Sequence, residues 1–179
     1  MDKRIEKTYV KLVHALAELL KENDYNNLIV QDILDKAGVA RSTFYKHYSS
    51  IDDLLRFIVK TIFERASITD YLDEENDSQT DYSQLIVKIL NILKESKDKI
   101  SIIISNNSSI IFFEELKKRM LPIIERIVSK KMLINNRIPY KLSLELAQEE
   151  FIVLIKHWFG YNCEAYPSTI ASYFIYLNS

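Results

Sequence analysis

The sequence predicts an all-α protein, and three observations carry that expectation. Only 2 Gly and 3 Pro punctuate 179 residues, so few turns are encoded. Apolar residues recur at spacings of three and four through most of the chain, with no competing β-branched alternation of period two. Apolar residues make up 47% and charged residues 27%, a globular composition that excludes a wholly disordered chain. This length suits one core, or a small head joined to a larger body.

The first helix is expected from Ile5 to Leu20, where Ile5, Tyr9, Leu12, Val13, Leu16 and Leu20 form one face. Asn23 to Asn27 is a polar break. A short helix follows with Val30, Ile33, Leu34 and Ala37 on one side. Gly38 ends it, since glycine tolerates the left-handed conformation just past a helix terminus. Another short helix carries Phe44 and Tyr45. Ser50 with Asp53 three residues later reads as a capping box for a helix that buries Leu54, Leu55, Ile58, Val59, Ile62, Phe63 and Ala66.

Six acids and no Lys or Arg lie between Ala66 and Val87, so Asp70 to Tyr82 reads as a solvated linker. Leu85, Ile86, Ile89, Leu90, Ile92 and Leu93 form the next helical stripe. The Ile-rich stretch from Ser101 to Ser109 fits a buried strand or a buried helix, and its neighbours favour helix. Ile110 to Ile134 is periodic, and Pro122 predicts a kink or break near Leu121. A long helix from about Lys141 to Tyr161 follows the Asn135-Asn136 and Pro139 turn, and Pro167 suits the first turn of a closing helix.

Composition also limits function. The 24 Lys and Arg nearly balance the 25 Asp and Glu, for a formal net charge of -1. Bulk coating of nucleic acid is excluded, and any basic surface must be local. A single cysteine, Cys163, excludes a disulfide framework and a cysteine-based zinc site, and fits a reducing cytosol. Met1-Asp2-Lys3-Arg4 runs straight into an amphipathic charged pattern, which predicts no signal peptide. No stretch reaches the roughly 20 apolar residues of a membrane helix, so a cytoplasmic protein without a membrane partner is expected. Metal spacing, a Gly-rich phosphate loop and a nucleophile-elbow pattern are all missing from the sequence, so neither an enzyme nor a cofactor is expected.

The segment from Asp32 to Leu55 carries the functional signal. Two short helices joined by a Gly-containing turn form a helix-turn-helix pattern. From Lys36 to His47 the charges are basic only: Lys36, Arg41 and Lys46, with His47 beside them. Such an element enters a major groove, where Arg or Lys pairs with guanine edges and hydroxyls reach phosphate. Phe44 and Tyr48 are the expected core anchors.

The stretch KAGVARSTFYKHYSSIDDLL, with LVHALAELLKENDYNNLIVQDIL before it, resembles the signature of the tetracycline-repressor-like (TetR) family of transcriptional regulators. The resemblance covers about the first 65 residues. It implies an N-terminal three-helix DNA-binding domain (1–50), a connecting helix (51–68), an acidic linker (69–82) and a C-terminal ligand-sensing and dimerisation domain (83–179). Carried over by position, it implies that Arg41, Thr43 and Lys46 read bases or adjoining phosphates and that Tyr45 and His47 contact phosphate. Ser42 and Gln31 complete the candidate set. The chain departs from the family at Ile29, where Thr is common, at Ala40, where Ser or Thr is common, and at Ile51, where Lys is common. Those residue types cap helices or grip phosphate.

The last two helices hold more apolar surface than one small body covers alone, from Phe151 to Phe159 and from Ile170 to Leu177. A symmetric homodimer through these helices is the expectation, and HWFGYNCEAYPSTIASYF resembles the end of family members. Family members also hold a small-molecule pocket. Phe112, Phe113, Tyr140, His157, Trp158 and Tyr161 are its candidate lining here, although aromatic stripes ordinarily pack cores. The expected function is a dimeric, ligand-responsive repressor acting on a double-stranded DNA operator. The alternative is a helical protein-interaction module that kept the fold with weakened DNA binding.

Overall fold

The computed structural model describes residues 3–68, 81–132 and 137–178, all-helical with no strand among them. They pack as two compact units: Met1–Val59 with Asp98–Glu114, and Lys60–Lys97 with Glu115–Ser179.

The first unit begins with α1 (Lys3–Leu20), whose apolar stripe is buried at Leu12, Val13, Leu16 and Leu20. A 3-10 turn over Tyr25–Asn27 follows, with the Asp24 carboxylate accepting from the Asn26 amide at 2.9 Å. Next come α2 (Val30–Ala37) and the five-residue α3 (Arg41–Tyr45). α2 packs on both α1 and α3. Gly38 between them takes the left-handed conformation (φ 62°, ψ 42°), and its amide bonds the Leu34 carbonyl. α4 (Ile51–Arg65) begins in this unit and buries the expected face, including Leu54, Leu55, Ile58 and Val59. The Ile-rich stretch is helical, as its neighbours suggested: α6 (Lys97–Ile104) buries Ile100 and Ile103.

The second unit holds α5 (Tyr82–Glu95), the greater part of α7 (Ser109–Met132), α8 (Tyr140–Gly160) and α9 (Pro167–Leu177). Residues 69–80 of the expected linker lie outside the described residues. Its last two positions belong to the start of α5. Asp81 caps that helix by accepting from the Ser83 and Gln84 amides at 3.0 and 3.2 Å, and Tyr82 is buried. Of the kink or break expected near Leu121, the break does not occur: α7 is continuous across Pro122. Losing one backbone hydrogen bond to proline costs a helix about 3 kcal/mol. The buried run Leu116, Met120, Ile123, Ile124 and Val128 on the same helix offsets it.

α9 packs on α5 and α8, with Phe151 and Phe174 edge to face at 5.3 Å. Pro167 opens α9 as expected. The turn before it is fastened by the Trp158 indole and the Lys94 ammonium, which both donate to the Ala165 carbonyl, at 3.0 and 3.3 Å. Cys163 is buried in this turn, and burial pushes its thiol upward, which keeps it protonated and unreactive.

The two glycines separate backbone strain from packing. Neither would bring a Cβ within 4 Å of a neighbour, but only Gly38 has positive φ. Gly38→Ala is expected to cost about 1–2 kcal/mol. Gly160→Ala, at a helical position, should be neutral or stabilise by up to about 1 kcal/mol. Urea denaturation of both variants checks this, and equal effects would refute it.

Candidate nucleic-acid interface

α3 has two opposite faces. Phe44 and Tyr48, four residues apart, are buried at 0% and 4% exposure. Arg41, Ser42, Tyr45, Lys46 and His47 are exposed, and Thr43 is half-buried. Lys46 and His47 lie in the turn just past the helix. The seat beneath is a chain of rings: Phe44 to Tyr48 at 5.3 Å, Tyr48 to Phe57 of α4 at 5.3 Å, and Phe57 to Tyr9 of α1 at 5.4 Å. Burial pushes the Tyr48 phenol up to about 12, so it stays neutral. Three helices are thereby tied together around the candidate contacts.

The exposed face is partly pre-arranged. The Arg41 guanidinium lies over the Tyr45 ring at 5.3 Å, a cation–π contact worth about 0.5–1 kcal/mol at an exposed site. Gln31 is exposed on α2, and its amide donates to the Asp35 carboxylate at 2.8 Å. Gln31 keeps a second amide N–H and its carbonyl oxygen for another partner.

The three departures have distinct structural outcomes. Ile29 is the α2 N-cap, 61% exposed and without a side-chain cap. Asp32 partly compensates, its carboxylate accepting from the Ile29 amide at 2.9 Å. Ala40 caps α3 without a side-chain bond. Ile51 is buried at 8% exposure, so it anchors the start of α4 and holds no cation toward solvent. That start is capped nearly as expected. The Ser50 hydroxyl accepts from the Asp53 amide at 3.2 Å, but the Asp53 carboxylate returns to the Ser49 amide, at 3.0 Å, and to the Ser49 hydroxyl. Those bonds, with Arg56 at 3.1 Å, hold the Asp53 carboxyl below the ordinary 3.8.

The six candidate pocket residues are divided between the two units. Phe112 and Phe113 are buried in the first unit, whereas the other four belong to the second. Tyr140 and Tyr161 are exposed near opposite ends of α8, about 30 Å apart at the helical rise. Trp158 is a core residue at 1% exposure. His157 is exposed and stacks against Tyr161 at 4.7 Å. Within this unit the 3.6-residue period puts His157 and Trp158 on different faces, while His157 and Tyr161, four apart, meet. Among the described residues, no three His, Cys, Asp or Glu side chains are grouped to hold a metal ion. None of the described helices is long and apolar enough to cross a membrane.

Sequence reasoning passed over Asn106 and Asn107. The Asn106 side chain accepts from the Tyr25 amide at 3.0 Å and donates to the Leu20 and Asn23 carbonyls at 3.3 and 3.2 Å. Asn107 donates to the Asp24 carboxylate at 2.9 and 3.1 Å. The pair clasps the turn between α1 and α2. The available signal was two amides that interrupt an Ile-rich run.

Residues 12–58 match the family of bacterial regulatory proteins named tetR. Two uncharacterized HTH-type transcriptional regulators of Bacillus subtilis (strain 168) are similar. YxbF is 29% identical over 116 residues, 63% of this chain and 27% of its own length. YvdT is 29% identical over 100 residues, 55% of this chain and 52% of its own. The chain thus spans about a quarter of one relative and half of the other. The crystal structure of a TetR transcriptional regulator from Streptococcus agalactiae 2603V shares the fold, with a TM-score of 0.62 and 24% identity over 99% of this chain and 97% of that one.

Removing the clasp tests its weight. Asn106→Ala removes a side-chain partner from two carbonyls and two amides in a partly buried place and should lower unfolding free energy by about 1–3 kcal/mol. Asn107→Ala, at an exposed contact, should cost under about 1 kcal/mol. Denaturant titration measures both, and equal losses would show that Asn106 is not the main fastening.

Proposed function

The chain carries the helix-turn-helix head of the tetR family, and from that premise we propose that it is a dimeric, ligand-responsive repressor of transcription. The observation that carries the reading is the acid-free segment from Lys36 to His47, with Arg41, Ser42, Tyr45, Lys46 and His47 exposed over a locked aromatic seat. Arg41 reads base edges, guanine being the natural partner of its planar fork. Thr43, Tyr45, Lys46 and His47 serve the adjoining bases and phosphates, and Gln31 is a peripheral contact. Phosphate contacts set position and base contacts set sequence preference. The near-zero net charge makes binding depend on this local face, with a salt dependence set by few cations.

Two recognition helices must span about one turn of DNA, roughly 34–36 Å, which calls for a symmetric dimer. The exposed apolar residues of the last two helices support that assembly: Leu142, Leu146 and Val153 on α8, and Tyr173, Tyr176 and Leu177 on α9. Repression and release by a ligand follow the family resemblance. A ligand that favours a dimer with misplaced recognition helices shifts the population away from the operator-bound form.

A second reading, a protein-interaction module on the same fold, draws on Ile29, Ala40 and Ile51. None of them offers a cap hydroxyl or a phosphate-gripping cation. Fluorescence anisotropy against DNA upstream of its own gene separates the two. Salt-sensitive binding at nanomolar to micromolar protein supports the regulator; absent or salt-independent binding supports the module.

Arg41→Ala and Lys46→Ala should each weaken operator binding by about 1–3 kcal/mol. Unfolding free energy should change by less than about 1 kcal/mol, since both side chains are exposed and Arg41 gives up only its contact with the Tyr45 ring. Wild-type affinity in both variants would mean that another element enters the groove. Val153→Glu and Tyr176→Glu should convert the dimer to monomer in sedimentation experiments and weaken operator binding with it. A dimer that survives both substitutions would require another interface.

A further inference from the structure

The second unit contains a cleft of about 390 Å³ that none of the expected aromatic residues lines. The volume lies in the lower range of small-molecule sites. α4 contributes Lys60, Phe63 and Glu64 to it, and Ile68 follows. α7 contributes Glu115, Lys118, Arg119 and Pro122. Phe63 and Ile68 are themselves buried and form apolar wall, with the Pro122 ring beside them.

The charges decide what fits. Both carboxylates are already engaged: Glu64 is 3.3 Å from Lys60, and Glu115, buried at 6% exposure, is 2.6 Å from Arg119. The cations are in excess. Lys118 is exposed and forms no ion pair among the described residues. The Arg119 Nε is buried and engaged by Glu115 at 2.6 Å, while the Arg119 side chain as a whole is 31% exposed. A guanidinium beside an ammonium offers charge-assisted hydrogen bonds to a ligand oxygen, and these are stronger than neutral ones. Three cations against two carboxylates leave one positive charge, which one carboxylate group neutralises and a dianion overshoots.

We infer that this cleft binds a small amphipathic monocarboxylate, with its head on Lys118 and Arg119 and its apolar body against Phe63, Ile68 and Pro122. Its effect on operator affinity rests on the ligand-responsive regulator proposed above. The site itself does not.

Calorimetric titration of the full chain with octanoate, octanol and octyltrimethylammonium tests the ligand class. Octanoate should bind one per chain, at least tenfold more tightly than either analogue. Lys118→Gln, at an exposed position, should weaken octanoate about tenfold, the loss of one charge-assisted hydrogen bond. Arg119→Lys retains a cation beside Glu115 but removes the planar fork that grips a carboxylate, and should weaken octanoate similarly, with a thermal melt confirming that it folds. Preference for the cation, equal binding of all three compounds, no binding of octanoate, or wild-type affinity in both variants would overturn the site. Operator anisotropy with and without octanoate is read separately. Loss of operator binding in every condition would overturn the regulator and leave octanoate binding in the cleft, measured by heat, unaffected.

Discussion

The burial of Phe44 is the constraint on which the candidate interface depends. α3 has five residues, far below the length at which a helix sustains itself in water. Its shape is therefore imposed by what it buries. Phe44 is fully enclosed, and the rings of Tyr48, Phe57 and Tyr9 continue the contact to α4 and α1. Enclosing such a ring contributes about 1.5–3 kcal/mol. Once that side is fixed, the helical period turns Arg41, Ser42 and Tyr45 outward together.

The same head depends on polar fastening where its core is thin. The turn after α1 has few apolar residues, and its backbone groups need partners. Asn106 supplies three, and Asn107 grips the Asp24 side chain that also caps the 3-10 turn. Asparagine suits this because one amide both donates and accepts. The start of α4 repeats the logic with Ser50, Asp53 and Ser49.

Charge is distributed in the same economical way. A formal net charge of -1 conceals a segment of bases only, from Lys36 to His47. In the second unit the carboxylates of the cleft are matched to cations and one lysine is left over. Total charge describes neither place, because screening confines electrostatic effects to about 10 Å at 0.1 M salt.

The all-helical class, the limits of most helices, the Gly38 turn and the two anchors Phe44 and Tyr48 were all legible in the sequence. Each rests on a local cause: period, a cap, or a residue with unusual backbone freedom. The exposed set on α3 was legible for the same reason, since one buried residue sets the phase of a whole helix. The continuity of α7 through Pro122, the exposure of His157 and the clasp by Asn106 were not. These depend on which distant residues meet. Asn106 lies 81 residues from Tyr25, and no pattern within one helix encodes that meeting. Sequence determined what each helix shows to its surroundings, because periodicity is a property of a single segment. Tertiary structure alone decided which surfaces meet and which side chains enclose a space, because packing is settled jointly by segments far apart in the chain.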